Sequence, residues 1–333
     1  MNPSELLPQP LLEIERVCRQ ALSGFLSPES AVDETLKQLL DAELRGKRSH
    51  GLVRIPWLRT RLGRFQHTPP EVQVLSPWLT RFECRESLGY LAARQAADSL
   101  QQQLLQQAFS VVVCNAAFPT GVIGDYLRPL ARSGHVALGF ATSPPLVSFE
   151  AGEKPLLGTN PIAVAMPGIG DAAPFVADVS PAPATFGQLL ALLFGAPGEV
   201  TSLSVETREG QPPQQVSELF DDEMRLTGKI IQRFDDVAGR RQYALTLAVE
   251  ALTTLFAGHS KRGALVMIGI NAEQLPGLHP GDVGQLLERL SKVLGAEQIP
   301  GAHGEARLQA MRRAGELSLP RRLWEELTRM ASG

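Results

Sequence analysis

Only three cysteines occur in the 333 residues, Cys18, Cys84 and Cys114, far apart and not at the spacing of a metal site or redox pair. Cys18 lies on an apolar helical stripe and Cys114 ends an apolar strand, so buried thiols in a reducing compartment are expected. No apolar run is long enough to span a bilayer. Met1 to Leu7 have neither a basic start nor a long apolar core, so no secretory signal is expected. Cytoplasmic location, without a membrane partner, follows as the expectation. The formal charge is only −3, which leaves no field to draw in nucleic acid or an anionic membrane. The Arg-rich runs, Arg59 to Arg64 and Arg312-Arg313, have no interleaved aromatics for base stacking and read as solvated helix faces. His135, His259, His279 and His303 match no ligand spacing, so no metal is predicted. A Gly-x-Gly-x-x-Gly loop is also missing. Gly121 and Gly124 make only Gly-x-x-Gly, which argues against an ordinary Rossmann reading.

What is present fits a globular enzyme: 44% hydrophobic and 20% charged residues. The length allows two or three domains, or one large core with an appendage. Leu11, Leu12, Ile14, Val17, Cys18 and Leu22 recur at helical spacing. Ser27-Pro28-Glu29 reads as a helix start with Ser27 as N-cap, and Gly46 as the left-handed end of that helix. Gln66 to Pro77 reads as a polar, Pro-containing stretch. Leu91 to Ala108 reads as a helix and Val111-Val112-Val113 as a short buried strand. A helix containing Pro129 follows, then strand candidates at His135 to Phe140, Pro161 to Met166 and Phe175 to Asp178. Pro197 to Asp222 is loop-rich and reads as an insertion or lid. Tyr243 to Phe256 is apolar enough all round to predict a buried helix, followed by a buried strand, Ala264 to Ile270. Asp282 to Leu294 and Leu323 to Met330 read as amphipathic helices. The alternation predicts an α/β fold with a mixed or parallel sheet.

One segment carries chemistry: Gly46-Lys47-Arg48-Ser49-His50-Gly51-Leu52-Val53-Arg54-Ile55-Pro56. If it is helical, the spacing places His50 and Arg54 on one face. An Arg grips a carboxylate in a two-pronged, charge-assisted hydrogen bond. A His beside it gives or takes a proton near neutral pH. Reduction of a 2-oxo or 2-imino acid needs both. A His and an Arg at this spacing are also ordinary on a surface helix, so the pair needs a second anchor. That anchor is Gly158-Thr159-Asn160-Pro161.

Together the two segments resemble the malate/L-lactate dehydrogenase family of the second type, whose pattern runs roughly Ser-His-Gly-x-x-Arg-x-Pro and later Gly-Thr-Asn-Pro. Weaker echoes fall in register. They are Phe175 to Ser180, with Gly187 after it, Gly239 to Leu245, Pro300-Gly301, and Arg312 to Gly315. Several positions depart from the pattern. Many members carry a second His in an Asn-x-x-His segment, where this chain reads Asn115-Ala116-Ala117-Phe118. The Lys near Tyr243 is Arg241, followed by Gln242. A usual Thr-Asn reads Ala141-Thr142, and the usual Asp before the first motif is Glu43.

The resemblance implies a non-Rossmann α/β fold with a mixed sheet and a helical domain from the chain ends. Residues 1–75 plus 300–333 would form that helical substrate and dimerisation domain, and 76–299 the α/β cofactor domain. It implies NAD or NADP as cofactor, a small carboxylate substrate and a homodimer. His50 would donate the proton, Arg54 would hold the carboxylate and Ser49 would position either. Asp178, Ser180, Arg240, Arg241 and the backbone around Gly301 would contact the cofactor, with Thr159 and Asn160 shaping the pocket floor. Arg240-Arg241 beside a 2′-phosphate would favour NADPH. Reduction of a small 2-oxo acid is the first expectation. A cyclic imino acid, Δ1-pyrroline- or Δ1-piperideine-2-carboxylate, is the alternative. A catalytically silent fold serving binding or assembly is the other, because the second His, the Lys and the Thr-Asn are all replaced.

Overall fold

The computed structural model describes residues 5–150, 153–168, 172–232, 237–260, 262–275 and 277–333. Met1 to Ser4 of the N-terminal reading lie outside them. The two chain ends meet. Strand β1 (Leu6–Pro10) leads into helix α1 (Leu11–Ser23), whose buried Ile14, Val17, Cys18, Ala21 and Leu22 follow the predicted stripe. After the short β2 (Leu26–Ser27), helix α2 (Glu29–Leu44) runs to the first motif, and α3 (Arg54–Leu62) leaves it. Ser27 is not the N-cap of α2. Pro28 holds that position, and the Ser27 hydroxyl turns toward the Phe65 carbonyl instead. Strand β3 (Phe65–Gln66) pairs with β2.

The polar, Pro-containing stretch from Gln66 contains an edge strand, β4 (Glu71–Ser76), paired antiparallel with β5 (Leu79–Glu83). Both faces of β4 are largely exposed, so its sequence lacks the alternation that marks a half-buried strand. Helix α4 (Gly89–Gln103), β6 (Phe109–Asn115), α5 (Ile123–Arg132), β7 (Val136–Thr142) and the short β8 (Val147–Ser148) follow. Next come β9 (Ile162–Met166), β10 (Phe175–Val179), α6 (Phe186–Leu193), β11 (Val205–Glu206) and β12 (Lys229–Ile231). The chain closes with α7 (Val237–Ala257), β13 (Ala264–Ile270), α8 (Pro280–Leu294), α9 (Ala302–Ala314), β14 (Glu316–Pro320) and α10 (Arg321–Ser332).

The main sheet has seven strands in the order β10-β9-β7-β13-β6-β5-β4. Only β5 and β6 run parallel, so the sheet is mixed. Helices α4 and α5 cover one face through Ala92, Ala96, Leu100, Tyr126 and Leu127. Helix α7 covers the other through Val249 and Ala257, against Val111, Val113, Phe140 and Val266. The predicted all-round burial of α7 does not hold. Leu245, Leu247, Leu252 and Leu255 on its outer face are exposed, because one face of the sheet can cover only one face of a helix. A second core lies beneath the helices of the chain ends, where α1, α2, α3 and α10 pack. The β1–β14 pair ties those ends together. Truncating Leu327 of α10, fully buried in this core, to Ala should lower stability by about 2–5 kcal/mol, read from urea midpoints.

The polar segment 197–222 is packed rather than free. Val200, Val205 and Leu219 join Val147, Leu189 and Ile230 in a small core under the β11-β12-β8 sheet. All three cysteines are buried free thiols. Cys84 and Cys114, distant in sequence, meet in the fold, and their mutual hydrogen bond and burial push the Cys114 thiol up. Among the described residues no helix is long and apolar enough to cross a membrane, and no cluster could hold a metal ion.

Candidate active site

The site grows from the end of α2. Gly46 takes φ +82°, and the amides of Gly46 and Lys47 reach back to the carbonyls of Glu43 and Ala42 at 3.0 and 2.8 Å. This is the left-handed helix end expected of a glycine. A short 3-10 turn, Arg48–His50, follows, and Gly51 turns the chain into α3. His50 and Arg54 therefore do not share one helix face. The turn breaks the helix between them, and both still line one cavity. Gly51 is required sterically, since a Cβ there would sit 2.0 Å from Oε2 of Glu43. Glu43, almost fully buried behind the turn, accepts the Leu52 amide at 3.0 Å. Its burial pushes its carboxyl up to about 7.

His50 is half-buried and lines the cavity. Desolvation, then the cations Arg54 and Lys47, push its pKa down to about 3. The ring is therefore neutral near pH 7. Ser49 Oγ lies 3.0 Å from its Nδ1. Two tautomers satisfy this contact, and the one in which Nδ1–H donates to Ser49 Oγ leaves the Nε2 lone pair free to take a proton. Arg54 is only 6% exposed, and its Nε donates to the Ser49 carbonyl at 2.8 Å. Its guanidinium lies 5.3 Å from the Trp57 ring centre and 5.2 Å from that of Phe186. Among the described residues no carboxylate comes within ion-pair distance of it. Burial pushes its pKa down for the same reason. A buried cation without an anion is costly unless a ligand brings the negative charge.

Helix α6 closes the wall. Thr185 caps it by accepting the Gln188 amide at 3.2 Å. A Cβ on Gly187 would lie 2.2 Å from the Ser49 carbonyl oxygen and 2.4 Å from Nη2 of Arg54. Only a glycine lets α6 approach the motif this closely.

The cavity holds about 300 Å³, and its far wall carries Thr142, Ser143, Thr159, Asp178 and Ser180. Ser180 Oγ donates to the Thr159 carbonyl at 2.7 Å. Asp178 accepts the Gly124 amide at 2.9 Å and Lys47 Nζ at 3.3 Å, bridging the sheet to the motif. Three predicted residues are thus placed with His50, Ser49 and Arg54: Thr159, Asp178 and Ser180. The others are not. Asn160 is fully buried at φ 40°, and its Nδ2 donates to the Thr246 carbonyl at 3.2 Å and to Glu250 at 2.8 Å, which pins α7. Arg240 and Arg241 lie in the first turn of α7, exposed and away from the cavity lining. Gly301, φ +96°, leaves room for β10, since a Cβ there would lie 3.0 Å from the Val176 amide.

Ala141 and Thr142, which replace the usual Thr-Asn, line the cavity, as do a third changed residue, Phe118, and Tyr90, which the sequence did not mark. Phe118 stands where the second His was expected and packs edge-on to Trp57, ring centres 6.0 Å apart. Tyr90, in the first turn of α4, also lines the cavity. Leu88-Gly89-Tyr90 precedes the predicted helix and carries no motif, so only the scarcity of tyrosine could have marked it.

The cavity is at the small end of ligand pockets. It suits a small acid with the reacting end of a nicotinamide dinucleotide. The hydroxyls of Thr142, Ser143 and Thr159 and the Asp178 carboxylate would hold that end against the sheet.

The sequence profile of the malate/L-lactate dehydrogenase family matches residues 10–328. A (2R)-3-sulfolactate dehydrogenase (NADP(+)) of Chromohalobacter salexigens is 29% identical over 74% of this chain and 72% of its own length. A Δ1-pyrroline-2-carboxylate/Δ1-piperideine-2-carboxylate reductase of Pseudomonas syringae pv. tomato is 24% identical over 100% of this chain and 93% of its own. A dehydrogenase structure from Sinorhizobium meliloti superposes with a TM-score of 0.80 at 24% identity, covering 99% of this chain and 100% of its own. That similarity extends to the arrangement of the fold.

Proposed function

Because the chain belongs to the malate/L-lactate dehydrogenase family, we propose that it interconverts a small 2-oxo acid and its 2-hydroxy acid. The cofactor is NAD or NADP, in keeping with the relatives. The observation that carries the reading is Arg54, a buried guanidinium without a carboxylate partner, beside a neutral imidazole in one cavity. The substrate carboxylate supplies the missing anion and forks onto Arg54. The C2 oxygen would then lie in the cavity that His50 also lines. When bound, the dinucleotide supplies or takes the hydride at C2.

In the oxidative direction the neutral ring of His50 takes the hydroxyl proton. In reduction the charged ring returns it. The bound carboxylate offsets the Arg54 charge that disfavours that charged ring. Ser49 Oγ accepts from Nδ1–H, which leaves Nε2 to take and return the hydroxyl proton. Residues 1–75 and 300–333 would carry the substrate side and 76–299 the cofactor side, with the dimer contacts on the exposed faces of α7 and α8 rather than in the helical domain. A cytoplasmic setting suits three thiols kept free.

A cyclic imino acid is the second reading, favoured by the same low pKa of His50. A ring imine that arrives protonated needs no general acid. The Pseudomonas relative reduces such imines by its name.

The test is titration of the purified protein with NADH and NADPH, followed by nicotinamide fluorescence, then a screen of 2-oxo and cyclic imino acids. Saturable binding and turnover are expected, with the tighter dinucleotide naming the cofactor. Binding of neither would leave a silent fold serving binding or assembly. His50→Ala should reduce the rate about 10²- to 10⁴-fold. An unchanged rate would remove His50 from proton transfer.

A further inference from the structure

Tyr90 is built into the site with as much care as His50, yet nothing so far uses it. Three features hold its ring in place. Gly89 lets the start of α4 press onto the loop after β6, since a Cβ there would lie 1.7 Å from the Ala117 carbonyl oxygen. Gly121, φ +70°, makes room for the ring, as a Cβ there would lie 2.7 Å from Tyr90 Cε1. The Tyr90 carbonyl is held by Gln38 Nε2 at 3.1 Å, and Gln38 is held in turn by the Tyr126 hydroxyl at 2.7 Å.

The side chain so fixed is 1% exposed. Among the described residues nothing hydrogen-bonds its hydroxyl, although a buried phenol ordinarily finds a partner. The ring lines the same cavity as His50 and Arg54. The phenol is close enough to Arg54 for that cation to oppose the upward push of burial on its pKa. The other hydroxyls of the cavity are less buried or already engaged: Ser49 with His50, Ser180 with Thr159, Thr185 with the α6 amide. Phe118, where a second His was expected, has no proton to offer.

We propose that the Tyr90 hydroxyl donates a hydrogen bond to the substrate's C2 oxygen. This rests on the dehydrogenase reading above. Arg54 fixes the carboxylate, and C2 is the next atom along, so a donor beside Arg54 falls beside the C2 oxygen. Charge builds on that oxygen as hydride arrives at C2, and a preorganised donor in a dry cavity stabilises it most at that moment. Tyr90 is on this view a catalytic residue that fills the role Phe118 leaves open.

The decisive variant is Tyr90→Phe, which removes one oxygen and keeps the ring. Two readouts are needed, with the full chain throughout. The first is steady-state reduction of the best 2-oxo acid at saturating dinucleotide. We expect kcat to fall about 10²- to 10³-fold with KM changed less than threefold, the signature of a donor that acts on developing charge. The second needs no turnover: binding of oxamate, a 2-oxo acid mimic, read by quenching of Trp57 fluorescence. We expect affinity to fall about tenfold, while the thermal midpoint is unchanged or higher because the lost hydroxyl had no partner.

Unchanged kcat and unchanged oxamate affinity would overturn the assignment. So would a rise in KM alone, which would move the hydroxyl to the carboxylate. A lowered thermal midpoint would make the hydroxyl structural and also overturn it. Failure of the underlying reading looks different. Wild-type protein would then bind neither oxamate nor a dinucleotide, and the Tyr90 assignment would fall with it.

Discussion

Two titrating side chains on either side of one backbone turn carry opposite pH signatures. Glu43 is raised from its ordinary value of 4.5 to about 7. Its contribution to stability is fully present below 4.5 and is lost as pH rises through 7. His50 is lowered from 6.5 to about 3. Its contribution is present above 6.5 and is lost as pH falls through 3. Between 4.5 and 6.5 the two slopes oppose. Glu43→Gln keeps an acceptor for the Leu52 amide and removes one titration. Its gain in stability over wild type should be larger at pH 8 than at pH 5, by up to about 3 kcal/mol. Urea midpoints of both proteins at the two pH values measure this. Equal gains would mean that Glu43 does not titrate as its burial requires. At this scale the sequence was legible where chemistry needs a residue type. Ser49, His50 and Arg54 stood out by type and spacing, and all three line one cavity. Tyr90 was not legible, because a phenol declares a role only once its surroundings are known.

Elements explain why some readings held and others did not. The buried strands 111–113 and 264–270 were plain in the sequence, since strands covered on both faces read as continuous apolar runs. The edge strand β4 was invisible because its side chains meet water on both faces. Asn160 was misplaced for a related reason. Its motif marks a turn, and the turn's side chain points back into α7 rather than into the cavity. The approach of α6 is the elemental feature that shapes the site. Gly187→Ala would push a methyl group against Arg54 and the Ser49 carbonyl. An overpacked contact of this kind costs about 1–3 kcal/mol. With Arg54 displaced, KM should rise at least tenfold while the dinucleotide affinity stays near wild type. Michaelis kinetics beside a dinucleotide titration decides it, and an unchanged KM would show that α6 does not set the carboxylate clamp.

For the whole molecule, the open question is what covers the outer faces of α7 and α8. Leu245, Leu247, Leu252 and Leu255 stand exposed on α7, and Leu286, Leu290, Val293 and Leu294 on α8. Single exposed leucines are ordinary, but two helices with repeated apolar exposure are not. The sheet covers only one face of α7, so its outer leucines are left for a second surface to cover. A second copy of the chain is the partner that the proposed homodimer provides, and a twofold interface lets the same leucines meet on both sides. If so, the purified protein should sediment at twice the 36.1 kDa chain mass. The double variant Leu252→Glu with Leu255→Glu, outside the sheet-facing side of α7, should shift it to the monomer with its circular dichroism retained. A wild-type chain that sediments as a monomer at micromolar concentration would refute the dimer. A double variant that remains dimeric would move the interface away from α7, and the same substitution pair in α8, at Leu290 and Leu294, would then locate it.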